Sequence, residues 1–311
     1  MPAHNKCSKQ FASFFTNLNP AATYEAAAAR AHREIRSLIE DPDGPAGALR
    51  IRSFLQGSYR RDTAIHTIND VDVVALCHVA YRPSANRATR DQIHDMVKLS
   101  IAASERYSKE IHHGPESICV KVVLKGVVVE VLPALYFPGQ PLDVDPCYIF
   151  KDGQWVPAFA RRHQELISEK NAKTDGMFVP MIKVLKHLRS QSGRLAVSDA
   201  VSFHLECLLF AVADTVYSGS YGECIARVLT SLAGFTPQKA EQSGLRTPAR
   251  DKVLFAEDEW NIGAYSRFHP FVREWAAAAN EANAEKDADI AAASWQALLR
   301  EKYFPVNPSP S

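Results

Sequence analysis

One segment of the chain, FLQGSYRRDTAIHTINDVDVVAL, holds phosphate-binding and metal-binding residue types in a fixed order. Its Gly57-Ser58 pair follows a run of strand-forming residues, and glycine allows a backbone to approach a phosphate closely. The amide and hydroxyl of Ser58 can donate hydrogen bonds to phosphate oxygens. Asp70 and Asp72 lie two residues apart in the next such run, so their carboxylates project from one face of a strand. The segment therefore predicts a phosphate grip beside a magnesium site that substrate phosphates and water complete.

A third carboxylate, Glu130, lies in the apolar run VVVEVLPAL. An ionisable side chain in such a run is costly to bury unless a metal ion or a partner group compensates its charge. In two-metal phosphoryl transfer, a further carboxylate binds the second ion or helps to deprotonate the attacking hydroxyl. We therefore expect Asp70, Asp72 and Glu130 to hold two Mg²⁺ or Mn²⁺ ions at a catalytic site. Taken singly, Gly-Ser is typical of a turn and Asp-Val-Asp of a half-exposed strand; their combination favours catalysis.

The elements that must position these residues follow from the spacing of apolar side chains. Residues 20–40 predict one long helix, with Pro20 at its start and an apolar stripe along one face. Lys125-Gly126 supplies a tight turn between two Val-rich runs, which predicts a hairpin. Residues 88–110 predict a second helix, and β-branched runs predict strands at LRIRSFLQ, VDVVALCHV, ICVKVVLKG and VVVEVLPAL.

Beyond Trp155 the apolar spacing becomes almost entirely helical. We expect helices over PAFARRHQELISEKNA, VPMIKVLKHLRS, AVSFHLECLLFAVADTVY, YGECIARVLTSLAG and the C-terminal stretch that starts at FHPFVREW. Residues 238–260 predict a surface loop. The fold class is therefore α+β, with a core lobe over residues 1–155 and a helical lobe over residues 156–311.

Composition narrows the class of protein. With 36 Lys and Arg against 35 Asp and Glu in 311 residues, the formal net charge is +1, which argues against a long nucleic acid as partner. No apolar run approaches the ~20 residues that span a bilayer, and the first residues lack the apolar core of a signal peptide. The six cysteines form no CxxC pair and no zinc-ligand spacing with histidine. We therefore expect a cytoplasmic protein with reduced thiols, no zinc and no membrane partner.

The order Gly-Ser, Asp-x-Asp and a later acid between apolar residues resembles the polymerase β-like nucleotidyltransferase superfamily. More narrowly, most of the chain resembles the bacterial cGAS/DncV-like nucleotidyltransferases of the SMODS type, through FLQGSYRRDTAI, EVLPA, the Trp155-x-Pro157 pair, MIKVLKHL, SFHLE and WQALLREKYFP. The resemblance implies a polymerase β-like core of mixed sheet and helices, and a helical lobe that closes the active-site cleft. It also implies an enzyme that makes a cyclic di- or trinucleotide from ATP, GTP or other nucleoside triphosphates in antiphage (CBASS) signalling.

The same resemblance implies further nucleotide contacts. In this family a lysine on the first long helix after the core, and a serine that opens a later helix, contact the donor triphosphate; by motif these are Lys186 and Ser202. Lys183 is the alternative, since it lies three residues earlier on the same helical face. Lys186 could instead lie on a solvated helix face, and Ser202 could simply cap its helix. The sequence leaves open whether the enzyme is constitutively active or waits for a regulatory partner protein or a phage-derived signal.

One departure from the family pattern concerns Glu130, because the third acid is usually Asp. The extra methylene moves the carboxylate by about one bond length, which is large for a magnesium shell with contacts of ~2.0–2.1 Å. Two other functions remain open, of which only the non-catalytic one depends on this departure. The enzyme could modify a different acceptor, such as an RNA end, a protein or a small molecule, or the chain could bind nucleotides or a partner without catalysis.

Overall fold

The chain divides into two compact units. The computed structural model describes residues 7–68, 70–114, 117–141, 143–193 and 199–306. The first unit, Pro20–Gln164, is called here the sheet unit, and the second, Met1–Asn19 with Glu165–Ser311, the helical unit. The sheet unit ends at Gln164 and not at residue 155, the predicted boundary. The helical unit also includes helix α1 (Ser8–Leu18), because the apolar face of this helix is buried in the core of that unit.

The sheet unit contains the strands that the sequence predicts. Its elements are α2 (Ala22–Glu40), β1 (Arg52–Gln56), α3 (Gly57–Arg60), β2 (Asp70–Ala80), α4 (Arg87–Ala102), β3 (Ile111–His112), β4 (Val120–Leu124), β5 (Val127–Tyr136), β6 (Cys147–Lys151) and β7 (Gln154–Ala158). The long helix and the hairpin at Lys125-Gly126 are confirmed, with Leu124 paired to Val127 and Gly126 at φ +82°. The helix predicted over residues 88–110 ends at Ala102.

A mixed sheet organises this unit. Its described strands run in the order β1-β2-β5-β4-β3, with β6 paired to β5 and β7 to β6. Strands β2 and β5 pair in parallel, and the other neighbours are antiparallel. Val71, Val73, Val129 and Val131 point from one face into a core shared with α2 and α4. The residues that alternate with these valines therefore occupy the opposite face.

The helical prediction beyond Trp155 is wrong at its start. Residues 154–158 form β7 rather than the beginning of a helix, and α5 (Ala160–Lys173) begins two residues later. Pro157 is compatible with a strand here because, among the described strands, β7 pairs with β6 alone and so lies at the edge of the sheet.

The helical unit is built from amphipathic and buried helices around one apolar core. Residues 238–260 are not entirely irregular, because a short helix capped by Thr236 covers their first part. The described helices after α5 are α6 (Phe178–Gln191), α7 (Ser202–Ala211), α8 (Tyr221–Ala233), α9 (Pro237–Ser243), α10 (Ile262–Ala284) and α11 (Ala288–Leu299).

Two expectations from composition can be compared with the structure. All six cysteines lie among the described residues, where each is buried and none forms a disulfide bond. Within the described ranges, no helix has both the length and the apolar composition that crossing a bilayer requires.

Candidate active site

The phosphate-grip motif lies at the end of β1. Gln56, the last residue of β1, pairs with Asp72 of β2, so the next residue enters the site. Gly57 has φ +72°, and a Cβ added to it would lie 1.8 Å from Oδ2 of Asp72. Any other residue here would force the Asp72 carboxylate or the loop to move, because its Cβ would overlap that carboxylate. The carbonyl of Ser58 accepts a hydrogen bond from the amide of Thr63 at 3.0 Å, which fixes the loop that follows.

Three predicted acids share one face of the sheet. Asp70 and Asp72 alternate with buried valines along β2, and Glu130 of β5 lies directly beside Asp72 in the parallel pair. Residues paired across neighbouring strands project on the same side. The hydroxyl of Tyr24 on α2 donates to the backbone carbonyl of Asp70 at 3.1 Å and ties the start of β2 to this helix. The fold therefore brings Gly57, Asp70, Asp72 and Glu130 together.

The carboxylates influence one another. Burial, and after it the neighbouring negative charges of Asp70 and Glu130, raise the pKa of Asp72 to about 6. The positive charges of Arg61 and Lys121 act in the opposite direction but do not cancel the shift. Burying these carboxylates close together costs free energy, and a cation bound between them would lower that cost.

Replacing Asp72 with Asn is expected to stabilise the metal-free chain at pH values above the pKa of Asp72. The pKa of Asp72 in the folded chain, about 6, exceeds its ordinary value of 3.8, so between these values the folded state binds more protons than the unfolded state. The free energy of unfolding therefore falls as pH rises through this window. At higher pH the whole of this loss of stability persists. In EDTA, Asp72→Asn should raise the melting temperature by a few degrees at about pH 8 and by much less at about pH 4. An unchanged melting temperature at the higher pH would contradict this electrostatic account.

The donor set fits magnesium or manganese bound by two carboxylates. Nζ of Lys121 donates to Oε1 of Glu130 at 2.6 Å. Among the described residues, no group of three His, Cys, Asp or Glu side chains is arranged to hold a metal ion by itself. Mg²⁺ typically uses one or two protein carboxylates and takes its other ligands from phosphates and water. Asp70 and Asp72 could supply those two carboxylates, while Oε1 of Glu130 already accepts a hydrogen bond from Lys121.

Comparison with known proteins identifies the family. The model of the Second Messenger Oligonucleotide or Dinucleotide Synthetase (SMODS) domain matches residues 6–171, more than half of the chain. The chain belongs to the SMODS family. The model of the cGAS/DncV-like nucleotidyltransferase C-terminal helical domain matches residues 165–277. The resemblance inferred from the motifs is thereby confirmed.

Two relatives of this SMODS protein are identical to it at about a quarter of the aligned residues. It is 26% identical to a cyclic UMP-AMP synthase from Rhodothermus marinus, over 78% of this chain and 89% of the relative. It is 25% identical to a cyclic AMP-AMP-AMP synthase from an Acinetobacter species, over 95% of this chain and 84% of the relative.

Solved structures bear out the predicted fold of the SMODS protein. The c-UMP-AMP synthase of Rhodothermus marinus with Apcpp and Upnpp matches with a TM-score of 0.66 and 21% identity, over 86% of this chain and 94% of that chain. The E. coli CdnC:HORMA-deltaN complex matches with a TM-score of 0.73 and 16% identity, over 96% and 98%. At these identities the matches establish the polymerase β-like core and the helical lobe, and nothing finer.

Lys186 and Ser202 lie in the helical unit of the SMODS protein. Nζ of Lys186 donates to Oε1 of Glu206 at 2.7 Å, and both side chains are only 3% exposed. Ser202 is the first residue of α7, and its Oγ accepts from Arg189 at 3.2 Å. Lys183, the alternative, donates to Oδ1 of Asn19 at 3.0 Å. Nucleotide binding by Lys186 and Ser202 stays a prediction.

Three residues near the acids were missed by the sequence reasoning. Lys121 contacts Glu130, Arg61 affects the charge of Asp72, and Tyr24 anchors Asp70. Lys121 could have been found by counting from the hairpin turn, because Leu124 opposite Val127 places Lys121 opposite Glu130. No local signal marks Tyr24, which reaches the site from a helix distant in the chain.

Proposed function

We propose that this chain is a nucleotidyltransferase that makes a cyclic di- or trinucleotide second messenger from nucleoside triphosphates. The observation that carries the proposal is the pairing of Asp72 with Glu130, beside Asp70 and against the backbone of Gly57. Family membership and the names of the relatives, which are cyclic nucleotide synthases, support the same activity.

Each site residue has a role in the proposed reaction. Asp70 and Asp72 would hold the metal ions, while Gly57 leaves room for a phosphate and Ser58 donates to its oxygens. When bound, Mg²⁺ or Mn²⁺ would neutralise phosphate charge and lower the pKa of the acceptor hydroxyl. Glu130 assists removal of the proton from that hydroxyl.

The bond changes follow from this arrangement. The acceptor hydroxyl oxygen of one nucleotide forms a bond to the α-phosphorus of the donor. The bond from that phosphorus to its bridging oxygen breaks, and pyrophosphate leaves with the bonding electrons. A second transfer within the linear product closes a ring of two nucleotides, and one further addition before closure makes a ring of three.

The biological setting forms part of the proposal. Antiphage (CBASS) signalling in the cytoplasm fits a second-messenger synthase whose substrates are nucleoside triphosphates. The E. coli structure that matches this fold is a complex with a HORMA protein. A regulatory partner protein of this chain is proposed by analogy.

Product analysis tests the proposed activity. The chain is incubated with ATP, GTP, CTP and UTP and with Mg²⁺ or Mn²⁺, treated with phosphatase, and its products are analysed by mass spectrometry. We expect a phosphatase-resistant product with the mass of a cyclic di- or trinucleotide, absent when EDTA replaces the metal. Labelled nucleotide attached to RNA, protein or a small molecule would favour a different acceptor. Absence of any transfer would contradict catalysis.

A further inference from the structure

A polar row crosses the sheet at the level of Asp72. Register pairs Gln56 of β1 with Asp72, Asp72 with Glu130, Glu130 with Lys121, and Lys121 with His112 of β3. Directly paired residues project from the same face, so this row continues on both sides of Asp72 and Glu130. Glu130 therefore lies between an acid on one neighbouring strand and a cation on the other.

The contact between Lys121 and Glu130 is short but exposed. Nζ lies 2.6 Å from Oε1, while the Lys121 side chain is 48% exposed and the Glu130 side chain 22% exposed. Exposed ion pairs contribute only about 0.2 to 1 kcal/mol, so a divalent ion can displace this lysine at small cost. The long side chain of Glu130 can turn towards Lys121 on β4 or towards Asp72 on β2.

We propose that Lys121 is a positioning residue that holds the Glu130 carboxylate on the β4 side in the metal-free protein and releases it when a divalent ion binds. This inference rests on the proposed function, and it adds that Glu130 also becomes a ligand of the second ion. The proposal also accounts for the extra methylene of Glu130. The longer side chain can reach either the ammonium group of Lys121 or the divalent metal ion. Lys121 thus opposes metal binding until the donor nucleotide brings its ions.

Manganese binding without nucleotide tests this role. Free Mn²⁺ is measured by electron paramagnetic resonance during titration of the full chain. We expect Lys121→Met to bind Mn²⁺ about two- to fivefold more tightly than wild type, as expected when an exposed ion pair no longer competes. Lys121→Arg, which keeps the ion pair, should bind nearly as wild type does.

Lys125→Met is the matched control. Lys125 is an exposed lysine in the turn of the same hairpin and lies outside the polar row. Its replacement by Met removes the same charge as Lys121→Met. Its Mn²⁺ affinity should equal that of wild type. Thermal melts of all variants verify that each is folded.

A double-mutant cycle separates positioning from a general effect of charge. If Lys121 acts through Glu130, Lys121→Met should have no effect on Mn²⁺ affinity in a Glu130→Gln background. A full effect in that background, an unchanged affinity for Lys121→Met, or no saturable binding to any variant would overturn the proposal. Because no turnover is involved, a chain that binds Mn²⁺ as expected but forms no cyclic product would refute the proposed function and leave this inference standing.

Discussion

Asp72→Asn is expected to lower the rate of nucleotide transfer by at least about a thousandfold, because metal-assisted charge stabilisation supplies several kcal/mol in the transition state. The amide keeps the shape of the carboxylate but cannot offer a second negative charge beside Asp70. Initial rates of pyrophosphate release with the four nucleoside triphosphates measure the effect.

The loss cannot be ascribed to unfolding, since the same substitution should stabilise the metal-free chain at neutral pH and above. Asp95→Asn is the control, because Asp95 is an exposed acid on α4 in the same unit. It should retain the wild-type rate. A rate for Asp72→Asn within about tenfold of wild type would exclude Asp72 as a metal ligand.

Gly57→Ala is expected to lower kcat/KM for the triphosphate by about a hundredfold or more, since displacement of a catalytic group by ~1 Å can cost that much. The new Cβ would lie 1.8 Å from Oδ2 of Asp72, so the carboxylate or the loop must move. Steady-state kinetics with the preferred nucleotide give the measurement.

Gly126→Ala provides a close control for backbone strain. Gly126 also has positive φ, at +82°, but an added Cβ would meet nothing within 4 Å. Both alanines occupy an unfavourable backbone region, with a cost of roughly 1–2 kcal/mol. We expect both variants to lose melting temperature, Gly57→Ala more because of the added overlap with Asp72, but a large loss of activity only at Gly57. Equal activities would show that the contact with Asp72 does not matter for transfer.

The part of the site that depends on local spacing could be predicted from the sequence. A two-residue repeat suffices to place Asp70 and Asp72 on one face, and a tight turn suffices to pair β4 with β5. The contact between Gly57 and Asp72 is less local, because it depends on the antiparallel register of β1 and β2.

The features that could not be predicted depend on pairing between segments distant in the chain. Which residue of β5 lies beside Asp72 depends on a parallel pairing across α4, β3 and β4, and no pattern within either strand specifies it. The burial of Lys186 against Glu206 depends on how α6 packs on α7, which apolar periodicity does not resolve. β7 was missed because the apolar spacing beyond Trp155 was interpreted as helical, although an edge strand accepts Pro157.

The most direct test of the central claim is product analysis carried out in parallel on the wild-type chain and Asp72→Asn, with Mg²⁺ and all four nucleoside triphosphates. The account predicts a phosphatase-resistant cyclic nucleotide from wild type and none from the folded variant. The same product in equal amount from both proteins would contradict it.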